Sequence, residues 1–95
     1  MSVTDPAAPL SAPMPMFKVL LFNDDETPME FVVSVLETIF EKTRDDAIKL
    51  MLQIHTDGVG VCGTYSAEQA GSLVERVMAE AHRCGHPLRC AMERD

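Results

Sequence analysis

Asn23-Asp24-Asp25-Glu26-Thr27-Pro28-Met29-Glu30-Phe31-Val32-Val33 sets an amide and a run of carboxylates directly before a helix start with a large apolar face. Thr27, Pro28 and Glu30 read as N-cap, first and third helical residues. Threonine can accept from an orphan backbone N–H, proline is preset for a first turn, and Glu30 can close a capping box. A start of this kind holds Asn23, Asp24 and Asp25 beside a hydrophobic patch led by Met29 and Val32. Acceptors for a small cation beside an apolar hole are what is needed to hold one end of a peptide. Three readings stay open on these residues alone. They are an acidic helix N-terminus favoured by the macrodipole, a divalent cation held by hard oxygens, and an organic ammonium. The EF-hand pattern is not met, because its glycine and its closing Glu are missing.

His55 stands one residue beyond Ile54 and four beyond Met51. In isolation it is a helix-end histidine. It becomes a site candidate if its helix lies beside the Asn23 turn, as an antiparallel helix pair with a tight link at Lys42 would arrange. His82, Cys84, His86 and Cys90 invite a zinc reading, but their spacing is unlike paired-ligand knuckles and Cys90 falls on the inward side of a strand. Neither metal nor other cofactor is expected. No serine or cysteine sits in a nucleophile turn and no glycine-rich phosphate loop occurs. Cys62, between Val61 and Gly63, is a small buried residue. The chain does not read as an enzyme.

The elements that must position these groups are few. Met16 to Phe22 alternates as a strand, with Phe17, Val19 and Leu21 on one face. A helix follows from about Pro28 to Glu41, with Phe31, Val32, Val35, Leu36, Ile39 and Phe40 as its stripe. Thr43 caps a second helix whose Ala47, Ile48, Met51 and Leu52 face inward and which ends near His55. Asp57-Gly58 turns the chain into a short strand around Val59 and Val61, where Gly60 and Gly63 suggest close backbone approach. Ser66 starts a third helix striped by Ala70, Leu73, Val74, Val77, Met78 and Ala81. After Gly85-His86-Pro87, Leu88, Cys90 and Met92 alternate as a last strand. The class is α+β, a single small domain of order β-α-α-β-α-β, three helices packed on a three-stranded antiparallel sheet.

Residues 1–15 hold four of the six prolines and read as a disordered Pro/Ala-rich tail before a domain of residues 16–95. The net charge of −7 disfavours nucleic acid and anionic membrane as partners. Three cysteines leave one unpaired in any disulfide scheme, which fits a reducing compartment. No signal segment or membrane-length apolar run is evident. A cytoplasmic monomer is expected.

The stretch Asn23 to Val32 closely resembles the signature of the ClpS adaptor family. Met51-Leu52-Gln53-Ile54-His55, Gly60-Val61-Cys62-Gly63, and His86-Pro87-Leu88 with Cys90 and Glu93 match in order and spacing. The resemblance covers nearly everything from Met16 to Asp95. It implies a non-enzymatic adaptor that binds proteins with a bulky hydrophobic N-terminal residue (Leu, Phe, Tyr or Trp). The adaptor would hand them to an AAA+ unfoldase of the ClpA type, or a ClpC-type relative, for degradation. Carried over by position, Asn23, Asp25 and His55 are expected to hold the substrate's α-amino group, with Asp24 helping through water or the local field. Leu21, Phe22, Thr27, Met29, Val32, Met51, Ile54 and Leu88 resemble the pocket for the first side chain. Glu68 matches a position associated with the unfoldase's N-terminal domain. The chain departs from the family at Ile54, where valine is common, and at Glu26, where tyrosine is frequent. It departs again at Ala70-Gly71-Ser72-Leu73, which replaces a more charged run. The competing reading is a structural or ribosome-associated α+β interaction domain whose acidic turn is only a cap.

Overall fold

The computed structural model describes residues 14–95. The expected tail therefore falls, for residues 1–13, outside the described residues. Strand β1 (Met16–Phe22) is followed by helices α1 (Met29–Thr38) and α2 (Arg44–Asp57), strand β2 (Val59–Ser66), helix α3 (Ala67–Arg83) and strand β3 (Arg89–Arg94). The sheet order is β2-β1-β3, and both pairings are antiparallel. This is the expected β-α-α-β-α-β arrangement of three helices and three strands.

Alternation in β1 decides which side is core. Val19 and Leu21 are fully buried on the inner face, where Cys62 and Cys90 join them from the neighbouring strands. The helices contribute Val32, Val35, Leu36, Ala47, Ile54, Ala70, Val77 and Ala81 to the same core. The β1–β2 register shifts between Val19 and Leu20, whose partners are Gly63 and Val61, so Cys62 is an extra residue and turns inward. All three cysteines are free thiols. Burial pushes the Cys62 and Cys90 thiols up to about 12, as small apolar core residues require.

Several local expectations need correction. Helix α1 ends at Thr38 rather than Glu41. Glu41 adopts φ 55°, and the Lys42 N–H donates back to the Leu36 carbonyl at 3.0 Å, so the last turn unwinds into a left-handed C-terminal closure. Thr27 is not the N-cap of α1: Pro28 occupies that position, with no side-chain cap bond, and the Thr27 hydroxyl is used elsewhere. Leu52 is half exposed instead of inward. It lies about 140° around the helix from Ala47, and Leu50 packs against the core where it was expected. Met78 is likewise exposed at the edge of the α3 stripe. The caps of α2 and α3 follow the sequence reading: the Thr43 and Ser66 side chains accept from the Asp46 and Gln69 N–H groups.

Two backbone features bring the ends of β1 and α2 together. Gly58, at φ 88°, closes α2 in the left-handed conformation that glycine takes without steric cost. Its carbonyl then accepts from the Asn23 N–H at 2.9 Å, one step beyond the Phe22–Val59 pair. Gly60 lets α2 lie close on β2. A Cβ there would meet Ile54 Cγ1 at 2.6 Å and Leu50 Cδ1 at 3.1 Å, so any larger residue would push Ile54 out of place.

Candidate functional site

The β1–α1 loop is held by one side chain. Asp24 Oδ1 accepts from the Glu26 and Thr27 N–H groups at 2.9 and 2.7 Å, and Oδ2 accepts from the Thr27 hydroxyl at 2.7 Å. This Asx-type turn holds the Thr27 backbone N–H in the loop, and the helix begins one residue later, where the Pro28 carbonyl accepts from the Phe31 N–H at 3.0 Å. Partial burial pushes the Asp24 carboxyl upward, but the Thr27 hydroxyl, the two N–H groups and nearby His86 outweigh it. The net value lies below the ordinary 3.8.

That direction sets a pH dependence. A carboxyl depressed in the folded state stabilises the fold above its unfolded value, and the contribution is lost as pH falls through the folded value. Asp24→Ala is expected to lower unfolding free energy at neutral pH by about 1 kcal/mol, a modest figure because solvent screens the site. The gap between parent and variant should close below pH ~3.8. Urea titrations at both pH values measure it, and a gap independent of pH would contradict the assigned role of Asp24.

With the loop fixed at Asp24 and tied to Gly58, Asn23 and Asp25 stand at the end of α2, where His55 is exposed. Together they border a recess of about 170 Å³. Its remaining walls are Phe22, Asp24, Thr27, Met29, Val32, Met51, Ile54 and Leu88. Val32, Ile54 and Leu88 are buried, Met51 is half buried, and Met29, the first residue of α1, is exposed at 45%. The recess thus has a polar rim of amide, carboxylate and imidazole, and an apolar interior.

Of the sequence-derived site residues, Leu21 does not line the recess. It points to the inner face of the sheet, opposite Gly60 and Cys90, and is fully buried in the core. Glu68 is exposed in the first turn of α3, away from the recess lining. Among the described residues, no three His, Cys, Asp or Glu side chains come together in a way that could hold a metal ion.

Three supporting groups were not singled out as such from the sequence. The role of Asp24 as turn organiser was legible in the Asp-x-x-Thr spacing, which suits an Asx turn as well as Thr-Pro suits a helix start. The Arg89 guanidinium lies over the Phe22 ring at 5.3 Å, and the His86 ring meets Phe31 edge-on at 4.6 Å. The first contact sets the start of β3 against Phe22, a wall of the recess, and the second ties the α3–β3 turn to α1; no local motif announces either.

The family model described as "ATP-dependent Clp protease adaptor protein ClpS" matches residues 12–91. The chain belongs to the ClpS family. Among ClpS relatives, the ATP-dependent Clp protease adapter protein of Nitrosospira multiformis is 54% identical over 81 residues, covering 85% of this chain and 79% of its own. That of Caulobacter vibrioides strain NA1000 is 49% identical over 94 residues, covering 99% and 86%. Among solved structures, ClpS2 of Agrobacterium tumefaciens bound to L-phenylalaninamide superposes with a TM-score of 0.83 at 30% identity. It covers 85% of this chain and 98% of its own. ClpS proteins are adaptors of a protease and not the protease itself. No described helix is long and apolar enough to cross a membrane.

Proposed function

We propose that this chain captures proteins by a bulky hydrophobic N-terminal residue (Leu, Phe, Tyr or Trp). It then delivers them to a ClpA-type or ClpC-type AAA+ unfoldase for degradation. One observation carries the reading: hydrogen-bond acceptors and an apolar cavity share one recess of limited volume. An α-ammonium has three donors, and on desolvation each needs an acceptor. Asn23 Oδ1, the Asp25 carboxylate and an unprotonated nitrogen of His55 supply them, while Asp24 acts through the field of its charge. Met29, Val32, Met51, Ile54 and Leu88 take the side chain, Phe22 and Thr27 complete the mouth, and Leu21 backs the wall from the core. A recess of about 170 Å³ is on the scale of an apolar cavity of about 150 Å³ that admits benzene. Likeness to a ClpS2 bound to L-phenylalaninamide supports the reading, since that ligand has both a free α-amine and a benzyl group.

Glu68 is the expected point of attachment for the unfoldase's N-terminal domain, with the adaptor acting as a monomer. Capture and delivery are separable. Deleting residues 1–15 removes only chain that precedes β1, so affinity for a Phe-initiated peptide is expected to stay within about twofold. Degradation of a Phe-initiated reporter by the unfoldase–peptidase pair should rise when the full chain is added and fall sharply with the truncated one. A full chain that does not accelerate degradation would overturn delivery. A truncated chain that delivers equally well would remove the tail from it.

A further inference from the structure

Phe22 is the last residue of β1, half buried, and a wall of the recess immediately before Asn23. Strand alternation sets its side chain on the sheet face opposite the buried Leu21, with Val59 of β2 and Arg89 of β3 as its partners in register. Arg89 opens β3 directly after Leu88, a buried wall of the same recess. Its guanidinium carbon lies 5.3 Å from the centroid of the Phe22 ring. Arg89 itself is exposed and does not line the recess. It makes no ion pair among the described residues, so the ring is what engages its charge.

Resting on the capture reading above, we infer that Arg89 is a positioning residue. It acts through the Phe22 ring, holds that ring clear of the cavity, and so sets how wide a first side chain the recess admits. A half-buried phenylalanine at a strand end has more than one rotamer open to it. A cation over the ring face favours one of them, by about two- to fivefold at an exposed site. Because Arg89 stands outside the recess, the rotamer it favours is the one directed away from the cavity. With the cation gone, the ring is free to fold over the mouth, and room is lost where the widest side chains need it. A narrow aliphatic side chain such as that of Leu needs less of that room. Leu88, 2% exposed, anchors the base from which Arg89 reaches, so the ring is held relative to the wall against which the ligand packs.

Calorimetry of the full chain with L-tryptophanamide, L-phenylalaninamide and L-leucinamide tests the assignment. In Arg89→Ala the Trp-to-Leu affinity ratio is expected to fall by about two- to fivefold. Arg89→Lys, which restores a cation above the ring, should recover part of it. Losing a positive charge near a bound ammonium would strengthen all three ligands alike, and a loosened fold would weaken all three alike; neither moves the ratio. In a Phe22→Leu background the ring is gone, and adding Arg89→Ala should leave the ratio where it was. Suppose the parent binds L-phenylalaninamide but Arg89→Ala keeps the parental ratio, or shifts it equally without the Phe22 ring. The role of Arg89 is then overturned and capture stands. A parent that fails to bind L-phenylalaninamide overturns capture, and the role of Arg89 falls with it.

Discussion

Replacing Asn23, Asp25 or His55 by alanine is expected to weaken binding of a Phe-initiated peptide by roughly ten- to a hundredfold in each case. Each change removes one acceptor from a cation that the recess has partly desolvated. A hydrogen bond to a charged group contributes about 1.5–3 kcal/mol, and the unpaired donor left behind adds its desolvation cost. The three side chains reach the recess from two segments, the loop after β1 and the end of α2. One Asn23–Gly58 backbone bond joins these segments, so an alanine side chain at any of the three positions leaves that link intact. Because the three acceptors share one ligand group, the combined loss in a triple variant should fall short of the sum. Fluorescence anisotropy of a labelled peptide measures the series. Unaltered affinity in all three single variants would remove these residues from the site.

The second large effect concerns choice among side chains. Met29→Ala is expected to raise affinity for Val- and Ile-initiated peptides by about tenfold while changing Phe binding little. Met29 is the first residue of α1, lines the recess and is 45% exposed, so it stands at the mouth. Branching at the β-carbon widens a ligand next to its backbone, which is where a guard at the mouth would meet it. One methylene of misfit in a tight pocket is worth about 1–3 kcal/mol. Met51 and Ile54 act deeper, and Ile54 packs over Gly60, where no side chain would fit between them. Ile54→Val should therefore favour the largest ring. A matrix of these variants against six N-terminal residues reads the preference, and a Met29→Ala protein that still rejects Val and Ile by the parental margin would place the gate elsewhere.

Sequence reasoning succeeded where periodicity and capping act locally. Alternation gave β1 as Met16–Phe22, and Thr43 and Ser66 announced the starts of their helices. It failed where two local signals overlapped on one residue. Thr27-Pro28 is a sound helix start, yet Asp24 three residues earlier holds the Thr27 N–H in its own turn and the helix starts from Pro28. The end of α1 was missed because Glu41 gives no glycine signal for its left-handed turn. The recess itself is non-local. Its polar rim depends on antiparallel pairing of β1 with β2, which carries Asn23 to Gly58 and so to His55. Its apolar wall needs Leu88 from the far end of the chain, whereas Leu21, which the resemblance set in the same wall, follows the strand alternation into the core. Family resemblance supplied those groupings, whereas composition and spacing alone left the acidic turn open to three readings.

On the proposed function, the recess reads a free amine together with a side chain. The most direct measurement of this is calorimetric titration of the full chain with L-phenylalaninamide and with its N-acetyl derivative at neutral pH. Acetylation keeps the benzyl group but removes the positive charge and two donors, leaving Asn23, Asp25 and His55 against a bulky amide. The free amine is expected to bind saturably and the acetylated compound at least about a hundredfold more weakly. Equal affinity for the two would contradict it, since the recess would then be recognising a ring and nothing else.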